Sequence, residues 1–139
     1  VARRKEAKIM TNTPQTLQQE RAASAWAQIE QVESQNDKFK KEYGSLIRGL
    51  PAMILSDGLA QTLAFLLAKG GTDNTKPHSA AYNHLSVWVC QRLNADQDLL
   101  QWVLHESSAD YRRAASESLA YLHWLKRFVE AKNWRSDEE

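Results

Sequence analysis

Four histidines, His78, His84, His105 and His123, are the residues of this 139-residue chain best suited to hold a metal or move a proton. No two of them stand three or four apart and no His-Glu-x-x-His occurs, so no single helix presents the paired imidazoles of a zinc site. Cys90 is the only cysteine, which leaves neither a thiol pair for zinc nor an intramolecular disulfide; it reads as a small buried hydrophobe. Ser56, Asp57 and His78 supply the residue types of a hydrolase trio, but no Gly-x-Ser-x-Gly elbow supports it. The Gly70-Gly71 pair lacks the Gly-x-x-x-x-Gly-Lys spacing that cradles phosphate. The chain therefore reads as a non-enzyme with no metal and no cofactor. His123 is expected on a helix surface and His105 at a helix end, where the dipole favours it.

Cations are the chemistry that remains. Arg112, Ser116, His123 and Arg127 fall at offsets of 0, 4, 11 and 15, which places them along one stripe of a helix, with Arg113 and Lys126 at its edges. Glu130 lies on that line and Glu117 beside it. A second cluster, "DKFKKEY", carries Lys38, Lys40 and Lys41, with Arg48 following at the end of the same amphipathic segment. Both groups suit contact with a phosphate backbone. An ordinary solvated helix face has the same composition, so neither stripe alone decides between the two.

The elements that must carry these residues are helices throughout. Thr13 before Pro14 is an N-cap and first-turn signal, and Ala22, Ala25, Trp26, Ile29 and Val32 then recur at helical spacing, predicting a first helix from about Pro14 to Gln35. After "SQND", Phe39, Tyr43, Leu46 and Ile47 predict a second helix that stops near Gly49, because Pro51 disfavours helical geometry before it. Pro51 then opens a third helix, "PAMILSDGLAQTLAFLLAKG", with Gly58 marking either a close crossing or a break between two short helices. Polar residues in its middle exclude a membrane span. "GGTDNTKP" is the one clear loop and the best candidate for a mobile or partner-facing segment. Pro77 starts a fourth helix with Ala81, Leu85, Trp88, Val89 and Leu93 inward, "DQDLLQWVLHE" a short fifth, and the Ser107–Asp110 pair a capped sixth. The sixth runs to about Lys132 and is expected to bury Tyr111, Ala115, Leu119, Leu122, Leu125 and Val129. Of the five tryptophans, Trp26, Trp88, Trp102 and Trp124 read as core. Trp134, past the last helix, has three candidate docks: its own fold, a partner or a base.

No strand alternation competes, so the fold class is all-α: a compact bundle of about six helices in one domain over residues 11–139. Residues 1–10 read as a disordered N-terminal arm or a cloning scar. The nine residues before Met10 hold four basic residues against one acidic; without them the net charge falls from +1 to −2. A charged fraction of 25% and a mean hydropathy of −0.59 describe a water-soluble protein, expected in the cytoplasm with no membrane partner.

"KKEYGSLIRGLPAMILSDGLAQTLAFLLAK", with Tyr43, Leu50-Pro51, Gly58-Leu59 and Ala64-Phe65, resembles the central signature of the small helical subunit of type III-B CRISPR RNA-targeting complexes, the Cmr small-subunit family. "DYRRAASESLAYLHWLKRFVEAK" resembles that family's last helix, and the match spans about Gln15 to Lys132. The resemblance implies a helical bundle that stacks in several copies as the minor filament beside crRNA-bearing backbone subunits. It implies as partners other Cmr subunits, further copies of itself, and the crRNA and target RNA in the groove they form. RNA cutting is implied to belong to another subunit. No RNA-contacting residues carry over one by one, so Arg112, Arg113, Lys126, Arg127, Lys38, Lys40, Lys41 and Arg48 are expected RNA or assembly contacts on their spacing alone. The competing reading is a free-standing helical adaptor that binds a protein partner without nucleic acid.

Overall fold

Helix α1 (Leu17–Glu33) begins three residues later than Pro14 suggests, at a reciprocal cap. The Thr16 hydroxyl accepts from the Gln19 amide at 3.1 Å while the Gln19 side chain accepts from the Thr16 amide at 2.8 Å, so two first-turn donors are satisfied at once. The computed structural model describes residues 14–135; the expected arm at 1–10 lies outside them.

Asn36 caps α2 (Asp37–Asp57), its carboxamide oxygen accepting from the Phe39 amide at 2.8 Å. This helix corrects the expected stop near Gly49: it runs through Pro51 to Asp57. A proline in a helix interior costs roughly 3 kcal/mol, but Phe39, Tyr43, Ile47, Leu50 and Ile54 form one buried stripe that continues across it. At about 1.5–3 kcal/mol for each fully buried large side chain, keeping Leu50 and Ile54 in register outweighs the proline.

The chain breaks at Gly58 instead. Its φ of +90° is left-handed backbone that L side chains avoid, and α3 (Leu59–Gly70) starts at once on the other side. Gly58 has no side chain to cap α3, and the Tyr111 hydroxyl of a distant helix accepts from the Ala60 amide at 2.9 Å in its place. The loop 71–76 leads to α4 (Pro77–Leu93), with Pro77 in its first turn. Asn94 in the left-handed region ends α4; α5 (Leu99–His105) is short. In α6 (Ser108–Lys132) the Ser107 hydroxyl accepts from the Asp110 amide at 3.1 Å.

Helix α6 is the spine, packed against α1, α2, α4 and α5. Helices α1 and α6 run side by side in the same direction: Arg21 meets Glu117, Ser24 meets Tyr121, Trp26 meets Phe128, and Glu33 meets Lys132. Leu122, Leu125 and Val129 are buried as expected, but Tyr111, Ala115 and Leu119 are only half-buried. Toward its N-terminus the inward face passes through Ala114, Glu117, Ser118 and Tyr121, because the Glu117 carboxylate is drawn into the bundle.

The tryptophans divide. Trp88 and Trp102 are buried. Trp26 is not core: it is 37% exposed, with Phe128 edge-on against it at 5.0 Å and the Lys132 ammonium over its ring at 4.9 Å. Trp124 is half-buried beside Phe128. Trp134 folds back onto its own chain and is buried against α2, where Gly44 has no Cβ to block the Trp134 backbone.

Candidate nucleic-acid interface

The basic stripe of α6 is an outward face. Arg112, Arg113 and Arg127 are exposed and Lys126 is half-buried. Arg113 donates to Asp110 at 2.9 Å and Arg127 to Glu130 at 3.2 Å, both one turn along the same helix. Exposed ion pairs of this kind are worth at most about 1 kcal/mol, so a phosphate can replace either carboxylate at little cost. Two clefts flank the stripe. Arg92 of α4 shares a cleft with Arg113, Ser116 and Glu117, and Arg21 and His123 share a groove with Arg127 and Trp124.

Glu117 turns inward from the edge of the Arg92 cleft. Its carboxylate accepts two hydrogen bonds from Arg21, at 2.7 and 2.9 Å, and a third from the Trp88 indole at 2.8 Å. Burial alone would raise its pKa, but the hydrogen bonds from Arg21 and Trp88 outweigh that and hold it below the usual carboxylate range. The opposing charge that sequence spacing puts beside the stripe is therefore paired with Arg21, and the two offset each other. Only the side-chain direction could have shown this, and spacing does not carry it.

The α2 cluster splits in two. Lys40 is half-buried, paired with Asp37 at 3.5 Å, and its ammonium lies 6.0 Å from the centre of the Trp134 ring; Arg48 donates to the Trp134 carbonyl at 3.2 Å. These two cations flank the docked C-terminal segment. Lys38 and Lys41 turn the other way, into a cleft of about 740 Å³ that also receives Lys69 from the end of α3, Lys76 from the loop and His78 from the start of α4. Glu42 is the one carboxylate among its lining residues. His78 registers the local potential: burial lowers its pKa first, then repulsion from Lys69 and from Lys76, with Glu42 acting in opposition. Sequence reasoning missed Lys69 and Lys76 because each stands alone in the chain. Only the turn at Gly70-Gly71 and the packing of α3 on α4 bring them to Lys38 and Lys41.

A cleft with four ammonium groups and one carboxylate can bind a polyanion without reading its sequence. Among the described residues there is no group of three or more His, Cys, Asp or Glu side chains placed to hold a metal, and no helix is long and apolar enough to cross a membrane.

The family model described as CRISPR-associated protein (Cas_Cmr5) matches residues 17–132. Among solved structures, a CRISPR-associated Cmr5 family protein from Thermus thermophilus is similar to this chain with a TM-score of 0.68 and 25% sequence identity, covering 88% of this chain and all of that one.

Proposed function

From the premise that the chain belongs to the Cas_Cmr5 family of CRISPR-associated proteins, we propose that it is the non-catalytic small subunit of a type III-B RNA-guided RNA-silencing ribonucleoprotein. Several copies stack beside the crRNA-bearing backbone and help to form the groove in which guide and target RNA run. The other Cmr subunits are its protein partners. The observation that supports this reading best is the convergence of Lys38, Lys41, Lys69 and Lys76 on one cleft, in a chain whose net charge is only +1. The positive charge is concentrated where the fold gathers it. The α6 arginines offer a second polyanion-facing strip, and Lys40 and Arg48 serve instead to hold the C-terminal segment. Guide pairing reads the target sequence, so this subunit needs only to recognise backbone and shape.

The test is reconstitution with the remaining Cmr subunits and a crRNA. Lys38→Glu/Lys41→Glu and Arg112→Glu/Arg127→Glu are each expected to weaken target-RNA binding or displace the subunit while leaving the isolated chain folded. Normal assembly with unchanged RNA affinity across a salt series in both double variants refutes the RNA-groove role.

A further inference from the structure

A second cavity, open and of about 380 Å³, adjoins the lysine cleft and differs from it in chemistry. Gln28 and Gln31 reach it from the C-terminal half of α1, Gln35 from the turn that follows, Asn74 from the loop, and Asn83 and His84 from α4. Gln28 and Gln31 stand one turn apart, so one face of α1 delivers both, and Gln35 follows from the turn. No carboxylate, ammonium or guanidinium lines the cavity. Each amide offers both a donor and an acceptor.

His84 adds a buried imidazole. It is 7% exposed, and its Nδ1 lies 2.6 Å from the hydroxyl of Tyr43, which is fully buried. Burial keeps the imidazole neutral. In the tautomer in which the Tyr43 hydroxyl donates to Nδ1, the ring's own proton sits on Nε2, on the side away from Tyr43. No hydrogen bond engages that Nε2 among the described residues. Phe39 supplies an apolar wall and Val87, 58% exposed, an apolar lip.

The two cavities are lined by consecutive residues at two places. Phe39 lines this one and Lys38 the lysine cleft; Asn74 lines this one and Thr75 the cleft. A ligand spanning both cavities presents anionic groups on one side and a neutral, planar, donor-and-acceptor group on the other. A nucleotide has that division, and side-chain amides pair bidentately with adenine through its exocyclic amine and a ring nitrogen. We propose that the amide-lined cavity receives an unpaired nucleobase, adenine by preference, from an RNA strand whose phosphates cross the lysine cleft. This rests on the RNA-binding role proposed above for that cleft.

The test uses the isotope-labelled full chain at low salt, titrated separately with adenosine monophosphate, uridine monophosphate and ribose phosphate and followed by amide resonances. Adenosine monophosphate is expected to shift the side-chain amides of Gln31 and Asn83 together with the backbone of Lys38 and Lys41; ribose phosphate shifts the lysine side alone. Asn83→Leu and Gln31→Leu, both at exposed positions, should remove the adenine-dependent shifts, keep those of ribose phosphate, and weaken oligoadenylate binding roughly 5- to 150-fold, the range of one bidentate amide–base pair. Identical lysine-side shifts with all three ligands, and none at the amides, overturn the base site while leaving the lysine cleft intact. No shift at either place with any ligand overturns both.

Discussion

Glu117 and His84 are buried groups whose ionisation the fold controls, and they act in separate pH windows. Burial pushes the His84 pKa down to about 4, whereas the unfolded chain binds that proton near 6.5. Between those values the unfolded state holds more protons, so stability falls as pH drops from about 6.5 to about 4, by up to about 3 kcal/mol in all. His84→Asn retains an acceptor for Tyr43 and should flatten urea-denaturation stability across that window; an unchanged slope contradicts the assignment. Glu117, whose folded pKa lies below its ordinary value, acts lower down. Its contribution is complete above the unfolded carboxylate pKa and disappears as pH falls through the folded one. Glu117→Ala strands the half-buried Arg21 guanidinium and the buried Trp88 indole, and leaving those donors unpaired should cost about 1–3 kcal/mol. Glu117→Gln keeps an acceptor for Trp88 and should cost less, which denaturant midpoints at constant m-value will show. Neither role was legible in the sequence. Glu117 reads there as a surface charge and His84 as one unpaired histidine among four, since inward direction depends on how α6 meets α1 and α4.

Helix boundaries show which local signals survive folding. Pro77 opens α4 and Ser107 caps α6 as their residue types predict, because nothing in the tertiary structure opposes them. Pro51 predicts a boundary as strongly, yet α2 passes through it to keep one buried stripe intact. Gly58 takes the break instead, and the Tyr111 hydroxyl that completes it comes from 51 residues away. Two glycines of the same region should therefore answer in opposite directions when replaced by alanine. Gly58→Ala forces a side chain into positive φ, with a new Cβ 3.3 Å from the Tyr111 oxygen, and should destabilise by about 1–2 kcal/mol. Gly49→Ala sits in an exposed helical turn with nothing within 4 Å of the added carbon, and should stabilise by about 0.5–1 kcal/mol. Thermal unfolding of the two variants checks the pair; the same sign in both contradicts the assignment of the break.

At the scale of the whole molecule, the all-helical bundle was legible because apolar spacing repeats over long segments, and the described residues form six helices with the second boundary moved to Gly58. The basic stripe of α6 was legible for the same reason. The lysine cleft was legible only in part: Lys38 and Lys41 are neighbours in sequence, while Lys69 and Lys76 join them through the α3–α4 turn. Charge gathered by folding predicts a specific salt response. Log affinity for single-stranded RNA changes with log salt by about 0.7 per phosphate neutralised, so Lys38→Glu/Lys41→Glu should make the slope shallower by roughly 1.4 or more, and a series of binding isotherms will read it. The parallel pairing of α1 with α6 bears on how the protein is made. Arg21 and Glu117 are 96 residues apart, and α6 is the principal neighbour of α1. Ribosomes add about 5–20 residues per second, so the apolar face of Ala25, Ile29 and Val32 waits seconds for the helix that covers it. Nascent chains stalled before Ser107 should consequently hold α1 open to chaperones and proteases, and protection should arrive late and all at once, when the last helix clears the exit tunnel.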